Sequence, residues 1–231
     1  MTEIAIYAEG GGDITHQKAE LRVGLDGLLN NVKSKAREKR LGWKLVCAGG
    51  RQATYEAFIN ALRTNPGTIN VLLVDSETSI VAATDNTDQD AALRVAHLTQ
   101  RDPWDLSEAH PKRVHLMVQC METWIVADIA ALSRFYGQGF APNSLPKRVN
   151  LEEEPKVDVY EKLVRATRAT QKGEYSKIRH ASQLLQNIDP THVAARCPGS
   201  RYGHAGLKKP SWPPEEAHGI DHMYVAKVIS A

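Results

Sequence analysis

The sequence predicts an α/β fold: a parallel sheet flanked by helices, followed by a helical C-terminal region. Three observations carry this. Val71-Leu72-Leu73-Val74 is an unbroken apolar run with two β-branched residues, as in a strand buried on both faces. Ile4–Ala8 has the same character. Segments of helical period alternate with such runs, which is the βαβαβ order of a doubly wound parallel sheet.

The chain has 231 residues, 42% of them hydrophobic, enough for one domain with an appendage or two small ones. The expected division is an α/β domain over 1–135, a linker over 136–155, a helical region over 156–196 and an irregular tail over 197–231. No apolar run approaches the ~20 residues that a membrane helix needs, and the first residues read as a strand rather than a signal peptide. Cys47, Cys120 and Cys197 follow no zinc or disulfide spacing. A reducing, cytoplasmic setting is the expectation. The net charge of +2 excludes no partner.

Taken in order, Glu3–Ala8 is the first expected strand, and Gly10-Gly11-Gly12 permits a tight turn with close approach of the backbone to a ligand. One long helix is expected from about His16 to Arg40, with Leu21, Leu25, Leu28, Leu29 and Val32 on one face. Its basic end (Lys33, Lys35, Arg37, Lys39, Arg40) complements the helix dipole. Trp43–Cys47 is the second strand. Gly49-Gly50-Arg51 turns into a helix that buries Tyr55, Phe58, Ile59 and Leu62, and Ile69–Val74 is the third strand.

Thr78–Asp90 is polar and reads as a mobile loop, with a short helix over Ala91–Leu98 after it. Val114–Val118 is the fourth strand, leading into a helix that ends near Leu132. Gly, Pro and Asn between Gly137 and Pro155 mark the linker. In the following helix Tyr160, Leu163, Val164 and Thr167 form an expected inward face. Arg165, Arg168 and Lys172 gather on another, a candidate nucleic-acid-binding surface. Ala181–Asn187 begins a further helix.

Carboxylates recur just beyond the buried strands: Glu9 after the first, Asp75 and Glu77 after the third, Glu122 after the fourth. In an open α/β sheet that edge is where ligands bind. Acids with ordinary pKa values near 4 are ionised at neutral pH and repel one another unless a cation lies between them. Mg²⁺ takes such oxygen ligands and keeps several waters. The expected metal ligands are therefore Glu9, Asp75 and Glu77, with Asp13 or Glu122 as additions. A strand-end acid can equally well cap the next helix.

Ile-Tyr-Ala-Glu-Gly-Gly-Gly-Asp followed by Leu-Leu-Val-Asp-Ser-Glu resembles the TOPRIM domain of topoisomerases, primases and overcoming-lysogenization-defect nucleases. That family places a Glu after its first strand and Asp-x-Asp after a later one; here Glu77 replaces the second Asp. Met121-Glu122-Thr123-Trp124 and Lys172–Lys177 resemble an uncharacterised prokaryotic branch of TOPRIM-like proteins, often encoded beside ABC-type ATPases in defence loci. The resemblance implies Mg²⁺- or Mn²⁺-dependent cleavage of nucleic acid, DNA or RNA, by an antiviral effector with an ATPase partner. It gives Glu9 a role as acid/base or ligand and makes Asp75 and Glu77 ligands. Arg51, Lys172 and Lys177 are then candidate catalytic cations for the scissile phosphate. Other outcomes are a non-catalytic module that binds nucleic acid or a protein, and a small-molecule phosphatase or phosphotransferase. A homo-oligomer is compatible with each.

Other motifs lead nowhere. Thr15 stands where a dinucleotide fingerprint needs its third glycine, the nine histidines include no HExxH, and Ser79 and Ser200 lie in no nucleophile elbow.

Overall fold

The structure is a computed structural model that describes residues 2–80 and 87–200. Four parallel strands, β1 (Glu3–Glu9), β2 (Gly42–Gly49), β3 (Ile69–Asp75) and β4 (Val114–Met117), form a sheet in the order β2-β1-β3-β4. In register, Ile6 faces Leu45 on one side and Val71 on the other, and Asp75 faces Met117. The expected α/β class is what forms.

Alternate strand residues enter opposite cores, which is why these strands read as continuous apolar runs rather than as alternating ones. Ile4, Ile6, Ala8, Val71 and Leu73 pack on the face covered by α1 (Thr15–Leu28) and α2 (Asn30–Glu38). Ala5, Tyr7, Leu72 and Val74 pack on the other, against Phe58 and Ile59 of α3 (Arg51–Thr64) and Leu98 of α4 (Thr87–Arg101). The connection from β1 to β2 covers one face; that from β2 to β3 crosses back over the other. The C-terminal ends of β1 and β3 therefore flank the point where the winding reverses, the usual ligand crevice of such sheets.

The remaining helices are α5 (Met121–Ala127), α6 (Ile129–Tyr136), α7 (Lys156–Thr167), α8 (Lys177–Asn187) and α9 (Pro190–Arg196). They share the first core with the sheet, through residues such as Trp124, Leu163, Leu184 and Val193. Helix α8 lies along α1 because two glycines admit it: a Cβ on Gly24 would meet the Ser182 carbonyl at 2.6 Å, and one on Gly27 the Gln186 side chain at 2.8 Å. This packing carries the start of α8 to the rim of the sheet. Among the described residues no helix is long and apolar enough to cross a membrane.

Five expectations need correction. The long helix from His16 to Arg40 is two, broken at Leu29 (φ −90, ψ 14), just before the poor helix formers Asn30 and Asn31. The helix expected over Ala91–Leu98 extends over Thr87–Arg101, so the last part of the expected loop is helical; residues 81–86 of that loop lie outside the described residues. The segment 136–155 is no free linker. It runs through two short 3₁₀ turns and buries Leu145 and Leu151 in the shared core. In α7, Tyr160 faces solvent while Leu163 and Thr167 are buried; its ring packs edge-on to Tyr175 with centroids 5.8 Å apart. Cys197, placed in the tail, is itself buried, and residues 201–231 lie outside the described residues.

Candidate metal centre

Each acid at the rim is placed by a strand end. Glu9 closes β1, and its Oε2 accepts the Asp75 backbone N–H at 3.1 Å, tying the two strand ends together. Asp75 closes β3 with its side chain buried, and its Oδ1 accepts the Met121 N–H at 2.9 Å, at the start of α5. Glu77 lies two residues on, at φ +69, opposite Gln119 at φ +66. Left-handed conformations in two non-glycine residues are uncommon and cost free energy that the surroundings must supply. Here Glu77 N–H donates to the Gln119 carbonyl (2.9 Å) and Gln119 N–H to Ser76 Oγ (2.7 Å).

The result is convergence. One carboxylate oxygen from each of Glu9, Asp75 and Glu77 lies within 4.8 Å of the other two, so the triad can hold a metal ion.

Cations are built around it. Arg51, the first residue of α3, donates to Glu9 Oε2 at 3.1 Å and to the Asp75 carbonyl at 2.6 Å. Its other edge forks onto Asp102, at 3.0 and 2.7 Å, and its guanidinium stacks 4.8 Å from the Trp104 ring. Asp102 and Trp104 thus hold Arg51 in a fixed orientation, the geometry for which a planar guanidinium is suited. Lys156 Nζ reaches both Glu77 oxygens at 2.7 Å and lies 4.0 Å from Asp75 Oδ2.

Asp75 carries the largest resolved perturbation among these acids. Burial pushes its carboxyl up from 3.8 to about 7, with Glu9 and Glu122 adding to the rise against the pull of Lys177 and Lys156. Burial works against the charge of Lys156, but its bonds to Glu77 outweigh that and raise its pKa.

The remaining candidates divide. Glu122 is buried beside the triad but outside it: its Oε1 accepts the Tyr175 hydroxyl at 3.0 Å, with Lys177 Nζ at 3.6 Å. Lys177, at the start of α8, therefore belongs to the rim. Asp13 is exposed and lies outside the triad, contrary to expectation. Lys172 sits over the Phe135 ring at 4.8 Å, a cation–π contact in the C-terminal helices. Arg165, in the last turn of α7, and Arg168, at its C-cap, are exposed.

Sequence reasoning missed Lys156 and Asp102. Lys156 did leave a trace: it opens α7, where the dipole disfavours a cation. A lysine there has its partner elsewhere, and that partner is 79 residues away.

Residues 8–202 match the family described as Domain of unknown function (DUF4276). The chain belongs to that family. The match spans the sheet and the C-terminal helices together, so every residue of the rim from Glu9 to Lys177 lies inside the DUF4276 region. No curated protein and no solved structure matches the chain.

Proposed function

We propose that this DUF4276 protein cleaves phosphodiester bonds of nucleic acid with a divalent cation, Mg²⁺ or Mn²⁺, held by Glu9, Asp75 and Glu77. The observation that carries the reading is the convergence of three carboxylates within 4.8 Å at the reversal point of the sheet. The donor set fits: it is all oxygen, without His or Cys, the preference of hard cations such as Mg²⁺ and Mn²⁺. Such an ion, when bound, supplies Lewis-acid polarisation of a phosphoryl oxygen.

The protein's own residues do the rest. Arg51 fixes Glu9 and the end of β3 before any substrate arrives, and preorganised charge is worth more than charge that must be rearranged. Glu9 uses Oε2 for both of its bonds, so Oε1 is the atom at which it would take a proton from an attacking water. Lys156 neutralises Glu77 and is half-buried on a flexible stem; with Glu77 holding a cation, the Lys156 ammonium would be free to bind the scissile phosphate. Lys177 sits on the other side, beside Glu122. The TOPRIM resemblance supports the same chemistry, and an antiviral role with an ABC-type ATPase partner rests on that resemblance alone.

A second reading is favoured by one observation: Glu9 and Glu77 already have Arg51 and Lys156 as partners. A rim neutral in this way would suit a module that binds nucleic acid or a protein without turnover. One assay separates the two. DNA, RNA and mononucleotides are each incubated with Mg²⁺, Mn²⁺ or EDTA. Polymer cleavage abolished by EDTA supports the nuclease; binding without turnover under all three conditions overturns it.

A further inference from the structure

Beside the acid rim is a cavity of about 410 Å³ that the metal site does not use. Its floor is the turn Gly10-Gly11-Gly12, which leaves β1 directly after Glu9. All three glycines have positive φ, and the turn lies so close to α1 that a Cβ on Gly11 would come within 2.7 Å of the Lys18 backbone. Side chains at Gly10 and Gly11 would clash, at 2.6 and 2.7 Å, which leaves the bare backbone of the turn as one wall. The other walls are apolar: Leu21 of α1, Met121 of α5, and Ile178 and Ala181 of α8. The polar side chains of the lining are Gln17 and Glu20 along the α1 edge and Lys177 and Ser182 on α8.

Two lining residues join this cavity to the rim. Met121 donates its N–H to Asp75 Oδ1 at 2.9 Å, and Lys177 is 3.6 Å from Glu122. A group seated here is therefore continuous with whatever is bound at Glu9 and Asp75, and Lys177 stands between them as a cation. The volume lies in the range of small-ligand sites, which combine apolar walls with a few fixed polar groups. A flat apolar body with a hydrogen-bonding edge, attached to a phosphate that Lys177 and the rim would hold, describes a nucleotide.

We infer that this cavity is a subsite for one nucleobase of the substrate, the one next to the scissile phosphate. The inference rests on the phosphodiesterase reading and narrows it: the enzyme takes one nucleotide out of its stack, as enzymes that need access to an unstacked base do. The Glu20 carboxylate accepts hydrogen bonds, and Gln17 both donates and accepts them. Bases with an exocyclic amino group (adenine, cytosine, guanine) fit that edge better than uracil or thymine.

The test uses nucleoside monophosphates as probes, with ribose 5-phosphate and inorganic phosphate as controls, in equilibrium dialysis against the full chain with Mg²⁺. AMP, CMP or GMP should bind at least about tenfold more tightly than ribose 5-phosphate, and UMP should fall between. Ile178→Trp fills the mouth from an exposed position (60% accessible) and should bring the nucleotides down to the level of ribose 5-phosphate. Gln17→Ala should narrow the gap between the amino-bearing bases and UMP, which keeps the test decisive if Ile178→Trp does not fold. Equal binding of nucleotides and ribose 5-phosphate, or no nucleotide binding, overturns the inference. So does unchanged discrimination in Ile178→Trp. The parent reading fails separately: base discrimination without metal-dependent cleavage of any polymer keeps the subsite and removes the nuclease, while cleavage of an abasic oligonucleotide as fast as its normal counterpart does the reverse.

Discussion

Asp75 and Asp128 are the same group and both hidden from solvent, 3% and 1% exposed, but Asp75 lies far deeper in the protein, and the two are perturbed in opposite directions. Asp128 joins two helices. It caps α6 through the Ala131 N–H at 2.9 Å, accepts the Asp189 N–H at 3.0 Å before α9, and pairs with His192 at 3.1 Å. Burial alone would push its carboxyl up, but those N–H bonds and His192 bring it below the ordinary value. Asp75 lies deeper and has fewer partners, one backbone N–H on Oδ1 and a lysine 4.0 Å from Oδ2, so burial wins and the group rises to about 7. Burial does not mark a functional acid. A buried carboxylate with one oxygen left without a hydrogen bond is a better marker, because something else can meet it.

The largest expected effect tests that contrast in activity. Asp75→Asn should cut metal-dependent cleavage by at least about a hundredfold with substrate affinity largely kept, since the lost interaction is one made in the transition state. Asp128→Asn, measured per folded molecule, should cleave as the native protein does. Equal losses in the two variants would erase the distinction.

Stability should show the reverse order. Asp128→Ala orphans the Ala131 and Asp189 N–H groups, each costing about 1–3 kcal/mol, so urea unfolding should report a loss of about 2–6 kcal/mol. Asp75→Asn should leave the metal-free fold as stable at pH 8, or more stable by up to about 2 kcal/mol. The signs follow from linkage. Folded Asp75 keeps its proton up to about pH 7, whereas the unfolded group loses it near 3.8. The native state thus binds the extra proton, and its stability falls as pH rises through that window. Asp128, lowered below 3.8, contributes stability above that value and loses it as pH falls through its folded pKa. A large loss of metal-free stability in Asp75→Asn would make Asp75 a structural cap like Asp128.

Metal binding sharpens the comparison with a smaller signal. If Mg²⁺ binds only the folded chain, mass action should stabilise it by about 2.7 kcal/mol at a hundred times Kd and raise the melting temperature accordingly. The shift should shrink below pH 7, because a carboxylate must be deprotonated to ligate. In Asp75→Asn the shift should vanish; in Asp128→Asn it should persist. Differential scanning calorimetry at pH 6 and pH 8 reads both.

Much of this was legible in the sequence. Unbroken apolar runs betray strands buried on both faces, and an acid directly after such a run is carried to the sheet rim by the fold itself, so Glu9, Asp75 and Glu77 could be named together. What was not legible depends on long-range partners. Asp13, four residues after Glu9, leads away with the glycine turn and is exposed. Glu122 is drawn off by Tyr175, 53 residues on. Lys156 directly follows the stretch 136–155, whose Gly, Pro and Asn content suggested a linker, and no local pattern says that Leu145 and Leu151 would pin that stretch to the core. The break at Leu29 was hidden because the apolar spacing continues through it; only the paired asparagines give it away.

The smallest expected effect concerns the charges furthest from this contrast. Arg165 and Arg168 are exposed at the C-terminal end of α7, whereas Lys172 is held over the Phe135 ring. If the two arginines track a phosphate backbone, replacing all three residues with Ala should weaken polymer binding alike for every sequence. Each lost contact should reduce the log–log salt slope by about 0.7 on single strands and 0.9 on duplex. The sum should therefore approach that of two contacts, because Lys172 already has a partner. Adding Lys172→Ala to the double variant should change the slope little, and cleavage at saturating substrate should stay at the native level, since none of the three touches the acid rim. Fluorescence anisotropy over a salt series measures the slope directly. An unchanged slope in the triple variant would make this face ordinary solvated surface, and the path of the polymer would have to run over Arg51, Lys156 and Lys177 at the rim itself.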